Sequence, residues 1–247
     1  MSGRRLAAFA AAAWLVSLGP AAGGTPSAEK LAGAVAEANR KAGRAKPLLL
    51  DVSLRTGEGS ARATGTLVTH PTGLARLELR GTDGLERHLL QGSQYAASRD
   101  GQILASPLPL LAPLFLLQAD SGPSLRAALA SFGVAASEAR LGLADDRDCY
   151  VIGGRGRGDS DDGARGAGSH VPSLWVELRS FEVVAVDRAD GVRYRFGPTG
   201  TFEGVRIPRW VEIAAPGGPP ARLEIQRVAK ASAPAAAFGT GWLSGSP

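Results

Sequence analysis

The sequence is poor in the residues that most often provide covalent cross-links or catalytic groups. It contains one cysteine, one methionine, three histidines and 6% aromatic residues. A single cysteine excludes an intramolecular disulfide. Cys149 lies in the strand-like run 148–152, so we predict that it is a small buried side chain rather than a reactive thiol. The fold therefore depends on packing.

Motifs for catalysis and metal binding are also missing. His70, His88 and His170 stand alone, outside any Gly-x-Ser-x-Gly or His-Glu-x-x-His pattern, which predicts surface or turn positions for them. The acidic runs 145–148 and 159–163 lack the register of a calcium loop, so we interpret them as solvated turns. We therefore expect neither an enzyme nor a bound cofactor or metal.

The excess of positive charge is small. The net charge of +5 includes Arg4 and Arg5, and residues 1–23 contain no acidic side chain, so removal of that segment leaves +3. The remaining basic residues are interleaved with acidic ones and form no stripe. Nucleic acid is therefore not an expected partner.

The N-terminal residues have the organisation of an export signal. Arg4 and Arg5 precede the apolar stretch 6–18, and small residues follow at 21–23. This pattern predicts a signal peptide over residues 1–23, cleaved near residue 23. A membrane anchor is the alternative, but a spanning helix needs about 20 apolar residues. We expect a soluble mature protein.

After the leader, the pattern changes from one helix to many strands. Residues 27–43 carry a helical apolar stripe that ends at a glycine. Further along, Leu77 and Leu79 alternate with Glu78 and Arg80, as in a strand that buries one face. The chain is therefore predicted to be mainly β with α: a single, strongly curved antiparallel sheet, or half-open barrel of about 10–11 strands, covered by short lid helices.

Residues 24–238 are predicted to form this domain. A second helix is expected after Ser124. The low-complexity run 153–173 has no apolar period and is predicted to be a flexible loop, and residues 239–247 a disordered tail.

One apolar segment interrupts the strands. Residues 107–117, which we call the lid segment, are all apolar and include three prolines. They are too few to cross a bilayer, and Pro109 and Pro113 exclude one continuous helix. The segment is thus predicted to be a broken helix whose side chains must be covered. Apolar strand residues such as Leu67 and Leu77 either pack against it as core or line a cavity.

The order of these features resembles the outer-membrane lipoprotein carrier superfamily, the LolA/LolB-like proteins, over about residues 48–238. Three stretches carry the resemblance: "GTLVTHPTGLARLEL" (65–79), "PLPLLAPLFLL" (107–117) and "RIPRWVEI" (206–213). Phe238 matches a closing aromatic residue of the family. The resemblance implies a curved sheet whose apolar cavity lies beneath a lid.

The resemblance also implies a function. It predicts a soluble periplasmic carrier or chaperone of a Gram-negative bacterium, which binds acyl chains of lipoproteins or lipids and takes part in their transport to the outer membrane. An inner-membrane donor complex and an outer-membrane acceptor are implied as partners. The alternative is an envelope sensor or assembly module of the same fold with no transported ligand.

Site residues follow from the apolar pattern and the resemblance together. His70, before Pro71, occupies the position of a family arginine that links the open and closed states, and is predicted to act as the gate. The residues predicted to line or support the acyl cavity are Leu67, Leu77, Leu79, Leu110, Leu111, Leu114, Phe115, Leu117, Leu125, Leu129 and Phe132.

Overall fold

The computed structural model describes residues 25–57, 59, 61–153 and 171–245. The predicted signal peptide, residues 154–170 of the predicted loop, and His170 lie outside these residues. The helices are α1 (Ala28–Lys41) and α2 (Gly122–Ser131), with 3-10 helices over Leu114–Leu117, Ala235–Phe238 and Thr240–Ser244. The strands are β1 (Leu48–Thr56), β2 (Ala63–His70), β3 (Leu74–Gly81), β4 (Gly84–Gln91), β5 (Gln94–Arg99), β6 (Gln102–Ile103), β7 (Ala139–Ala144), β8 (Arg147–Ile152), β9 (Ser173–Glu177), β10 (Val183–Asp187), β11 (Arg193–Phe196), β12 (Thr199–Phe202), β13 (Val205–Pro208), β14 (Trp210–Ala214) and β15 (Ala221–Lys230).

Within the described residues, thirteen strands form one antiparallel sheet in the order β6-β5-β4-β3-β2-β1-β15-β14-β11-β10-β9-β8-β7. The sheet is not closed into a barrel, and β12 and β13 form a separate hairpin. The predicted fold class is confirmed, with more strands than the ten or eleven expected. Because β1 pairs with β15, the first and last strands lie side by side in the middle of the sheet.

The inner face of the sheet, which carries the helices and the lid segment, holds the main core. In β3, for example, Ala75, Leu77 and Leu79 are buried in this core, while the residues between them face outward. Helix α1 begins at Ala28, where the Ser27 hydroxyl accepts a hydrogen bond from the Lys30 amide. It packs its apolar stripe against the lid segment and α2.

Helix α2 begins earlier than the sequence indicates. Its N-cap is Ser121, whose hydroxyl accepts from the Ser124 amide at 3.3 Å, so the prediction of Ser124 as the cap is wrong. Pro123 then stands in the first turn, where a proline costs no intrahelical hydrogen bond. Leu125 and Leu129 are buried on the side that faces the core, as predicted.

The C-terminal residues differ from the predicted disordered tail. Residues 233–245, which we call the C-terminal strap, lie on the outer face of β1–β5. Leu243 is only 3% exposed and packs in a cluster with Val68, Leu89 and Phe238. Outward apolar side chains of β2 and β4 need a cover, and the strap provides it. The Gly- and Ser-rich composition of residues 239–247 conceals this role.

Cys149 has the buried position that its strand predicts. It lies on the outer face with Ala144 and Val184, and burial raises the pKa of its thiol. None of the helices in the described part of the chain combines the length and the apolar character needed to cross a membrane.

Candidate ligand-binding site

The lid segment is broken, as its prolines predict. Only Leu114–Leu117 is helical, as a single 3-10 turn, and the residues before it are irregular. Even so, Leu110, Leu111 and the residues of that turn are at most 2% exposed. The side chains of the segment are therefore packed in the core, although the segment makes only a few backbone hydrogen bonds of its own.

The structure brings the predicted apolar residues together. All eleven are members of the inner core cluster: Leu67, Leu77, Leu79, Leu110, Leu111, Leu114, Phe115, Leu117, Leu125, Leu129 and Phe132. The Phe115 and Phe132 rings meet edge to face, with centroids 5.7 Å apart. Their common location agrees with the pattern, and their role in ligand binding stays a prediction.

A cavity of about 260 Å³ lies beside the first half of the lid segment, at one end of β1–β5. Its apolar wall includes Leu54, Leu79 and Ala63, and residues 104–108 and Leu110 border it on the lid side. Of the predicted site residues, only Leu79 and Leu110 line this cavity. The others pack as core around it.

The opposite wall of the cavity is polar. Glu86 and His88 on β4 face inward, in line with the core residue Leu90. His88 is only 1% exposed, so the prediction of a surface or turn position for it is wrong. Its Nε2 lies 3.3 Å from Glu86 Oε2, and Arg99 Nε donates to Glu86 Oε1 at 3.0 Å. The hydrogen bond from His88 and the Arg99 guanidinium lower the pKa of Glu86 to about 2, although its partial burial acts in the other direction.

Two tyrosines hold the beginning of the lid segment. Tyr95 on β5 donates from its hydroxyl to the Leu108 carbonyl at 2.6 Å and accepts from the Leu110 amide at 3.0 Å. Tyr194, on the other half of the sheet, donates to the Pro109 carbonyl at 3.1 Å. Burial raises the pKa of Tyr194 to about 12, and it raises that of Tyr95 further, so both hydroxyls keep their protons.

The end of the lid segment is held by buried amides. Asn39 of α1 donates to the carbonyls of Leu116 and Ala119, both at 3.0 Å, and accepts from Arg44 at 2.9 Å. Just after the segment, Gln118 accepts from the Thr69 hydroxyl at 2.7 Å and donates to the Lys46 carbonyl at 2.7 Å. These contacts fix the lid segment to α1 and β2.

His70 does not face the lid segment. It has the same strand parity as Val68, which belongs to the outer-face cluster, and its ring lies against Phe238 with centroids 6.3 Å apart. Its Nδ1 is 2.7 Å from the Thr72 hydroxyl. The neighbouring residue, Thr69, is the one that reaches the lid region. The predicted gating role of His70 thus has no contact to support it.

Several residues of the site were not predicted from the sequence, although their positions in the hydrophobic pattern indicate burial. Glu86 and His88 alternate with Leu89 in phase with the buried Leu90. Asn39 lies eight residues after Leu31, on the buried stripe of α1. A polar residue in phase with a buried face is the signal that points to such positions. In the described part of the chain, no group of three or more His, Cys, Asp or Glu side chains is arranged to hold a metal.

Comparison with known proteins identifies the fold. No protein-family model and no curated protein matches the sequence. Among solved structures, the chain is similar to a LolA superfamily protein from Nitrosomonas europaea, with a TM-score of 0.52 and 13% identity over 89% of this chain and 100% of that one. It is also similar to a DUF1329 family protein from Desulfovibrio piger, with a TM-score of 0.50 and 11% identity over 88% of this chain and 100% of that one. The chain has the LolA-like fold, which confirms the resemblance at the level of fold.

Proposed function

We propose that the protein binds an acyl chain of a lipid or lipoprotein between the inner face of the sheet and the lid segment. One observation carries this proposal: a wholly apolar, proline-broken segment covers a cavity on the inner face of an open sheet. Such a cover has few backbone hydrogen bonds of its own to lose when it moves. A flexible hydrocarbon chain is the ligand that fits best, because it can make the same apolar contacts as the side chains of the lid segment.

The energetics suit a carrier. Each methylene that leaves water contributes about 0.8 kcal/mol, so an acyl chain needs no specific polar contact to bind. The cavity of about 260 Å³ is smaller than most ligand pockets, which range over roughly 300–1,000 Å³. A long chain therefore has to displace part of the lid segment. The ligand then replaces the contacts that Leu110 and its neighbours make in the closed state.

The polar wall and the rim indicate how an amphiphile would lie. Leu54, Leu79 and Ala221 offer an apolar surface to the chain, while the Glu86–Arg99 ion pair lies on the other side. At the rim, Arg62 pairs with Asp83. We infer that the polar part of the ligand stays at this rim, next to groups that already hold charge.

The wider setting is part of the same proposal. With the predicted signal peptide, the chain would be exported, and the LolA-like fold makes the periplasm its expected compartment. There it would act as a carrier or chaperone in transport toward the outer membrane. An inner-membrane donor complex and an outer-membrane acceptor would then load and unload it.

One observation favours a second candidate, a sensor or assembly module with no transported ligand. The side chains of Leu114–Leu117 are at most 1% exposed, so the chain fills most of its inner core by itself. In that case the small cavity is a packing defect. The two candidates differ in whether purified protein takes up an acyl chain.

A pair of neighbouring substitutions tests the proposal. Ala63 lines the cavity, whereas Thr64, the next residue of β2, is exposed on the outer face. We expect Ala63→Trp to fill the cavity and to weaken binding of a fluorescent fatty acyl probe at least about tenfold, because the indole takes the space of several methylenes. Thr64→Trp adds the same ring and should leave binding unchanged.

The measurements are probe titration and native mass spectrometry of the purified protein. Circular dichroism confirms that both variants are folded. Retained acyl chains in the wild type, together with the difference between the two variants, support the carrier. A wild-type protein that is empty and takes up no probe contradicts it and favours the sensor or assembly module.

A further inference from the structure

The hydrogen bonds around Tyr95 define a closed latch on the lid segment. Its hydroxyl oxygen lies within hydrogen-bond distance of the Leu108 carbonyl at 2.6 Å, the Leu110 amide at 3.0 Å and His88 Nδ1 at 2.7 Å. A carbonyl only accepts and an amide only donates. Tyr95 has one proton, so if it donates to Leu108 it must accept from both of the others.

The donors and acceptors of His88 can be assigned in the same way. Glu86 is ionised at neutral pH, since its hydrogen bond with His88 and its ion pair with Arg99 lower the pKa of that carboxyl to about 2. A carboxylate only accepts, so His88 Nε2 carries a proton toward it. When Nδ1 also donates to Tyr95, both ring nitrogens are protonated. All contacts of the latch are therefore satisfied together only when His88 is an imidazolium.

We propose that the protonation of His88 controls the latch: the imidazolium holds the lid segment closed, and loss of its proton breaks the hydrogen bond from Tyr95 to the Leu108 carbonyl, which loosens the beginning of the segment. The neutral ring keeps its proton on Nε2, which still donates to Glu86, so Nδ1 becomes an acceptor and receives the hydrogen bond of the Tyr95 hydroxyl. The Leu108 carbonyl then loses its contact with Tyr95 and keeps only the Leu110 amide, 2.8 Å away. This regulation rests on the proposed function, because the latch borders the same cavity.

Few other charged groups lie close enough to His88 to affect its protonation. From β3 and β5, the residues directly opposite His88 are Leu77 and Ala97. Arg99 is bound to Glu86, and residues 104–110 contain no charge. The remaining charged groups at the cavity are at its rim, where Arg62 and Asp83 pair with each other.

The two ends of the lid segment should respond differently. The latch holds its beginning, whereas its end is held by the Asn39 and Gln118 amides, which do not titrate. Opening should therefore start at Leu108–Leu110 and leave the 3-10 turn in place. This difference supplies an internal control within one protein.

Hydrogen exchange of the ligand-free protein tests the latch. Protection factors, corrected for the intrinsic effect of pH, are compared at about pH 5 and pH 8, the range in which imidazoles change charge. We expect protection of residues 108–112 to fall on the order of tenfold at the higher pH, because one buried hydrogen bond is lost. Protection of residues 114–119 should stay constant.

Two variants and a titration complete the experiment. His88→Gln keeps a side chain of similar reach that does not titrate, and should abolish the pH dependence; His70→Gln, at the other described histidine, should retain it. NMR titration of His88 in the wild type should coincide with the change in protection, which keeps the test valid if His88→Gln does not fold. Unchanged protection of residues 108–112 in the wild type, or a pH dependence that persists in folded His88→Gln, overturns the proposal.

Acyl-probe binding at both pH values separates this inference from the proposed function. If protection changes with pH but no probe binds at either value, the latch stands and the carrier function fails. If the probe binds while protection of residues 108–112 does not change, the carrier function stands and the latch fails.

Discussion

Replacement of Asn39 tests how the lid segment is fixed to α1. Asn39 is fully buried, and its amide donates to the carbonyls of Leu116 and Ala119. In Asn39→Leu both carbonyls lose their donor inside the core. Each buried group left unsatisfied costs about 1–3 kcal/mol. Arg44, which is also buried, loses the acceptor of its Nη2 group.

We therefore expect Asn39→Leu to lower the free energy of unfolding by about 3 kcal/mol, in the lower half of the range of about 2–6 kcal/mol for two such groups. For a chain of this size, that corresponds to a fall in Tm of about 6–12 °C. Urea and thermal unfolding followed by circular dichroism give both quantities. Exchange protection should fall in residues 114–119 more than in residues 108–112.

The matched control is the next residue of α1. Arg40 also donates to a carbonyl at the end of the lid region, that of Asp120, but it is exposed. Arg40→Ala should cost no more than about 0.5 kcal/mol, because water replaces the lost contact. If Asn39→Leu costs less than about 1 kcal/mol, the buried amide does not anchor the lid segment and the reasoning fails.

Two further predictions concern the polar wall and the outer face. Because the pKa of Glu86 is lowered to about 2, its ionised form stabilises the fold above the ordinary carboxyl range, near pH 4.3, and this contribution is lost as the pH falls toward 2. The difference in urea midpoint between wild type and Glu86→Gln should therefore shrink as the pH falls below about 5; a difference that does not shrink contradicts the assignment. Truncation after Phe238 removes the buried Leu243 and the Trp242 ring that contacts Arg76 and Arg87, and should lower stability by about 3 kcal/mol. Unchanged urea unfolding would mean that residues 239–247 are dispensable, as in a disordered tail.

The fold and the apolar part of the site were predictable because they depend on local pattern. Alternation in β3 places Leu77 and Leu79 on one face whatever the rest of the chain does. Likewise, Pro109 and Pro113 prevent a continuous helix in any context, since proline lacks the amide hydrogen that such a helix needs. These features gave the sheet, the broken lid segment and the core residues.

The polar residues of the site could not be assigned in this way. His88 and Asn39 are in phase with buried positions, but pattern alone does not tell a buried histidine from a surface one. Their partners are distant in the sequence or on other strands: Tyr95 for His88, and the carbonyl of Leu116, 77 residues away, for Asn39. A polar group is tolerated in the interior only when such a partner is present.

By itself, the sequence determined the mainly β class, the face that each strand buries and the break in the lid segment, because these follow from residue spacing and backbone chemistry. The tertiary structure decided the position of His70 on the outer face and the hydrogen bonds between Tyr95, His88 and the lid segment. It also decided that residues predicted to be a disordered tail form the C-terminal strap. Each of these depends on which distant surface needs a cover or which distant group completes a hydrogen bond. Only the folded chain brings those partners together.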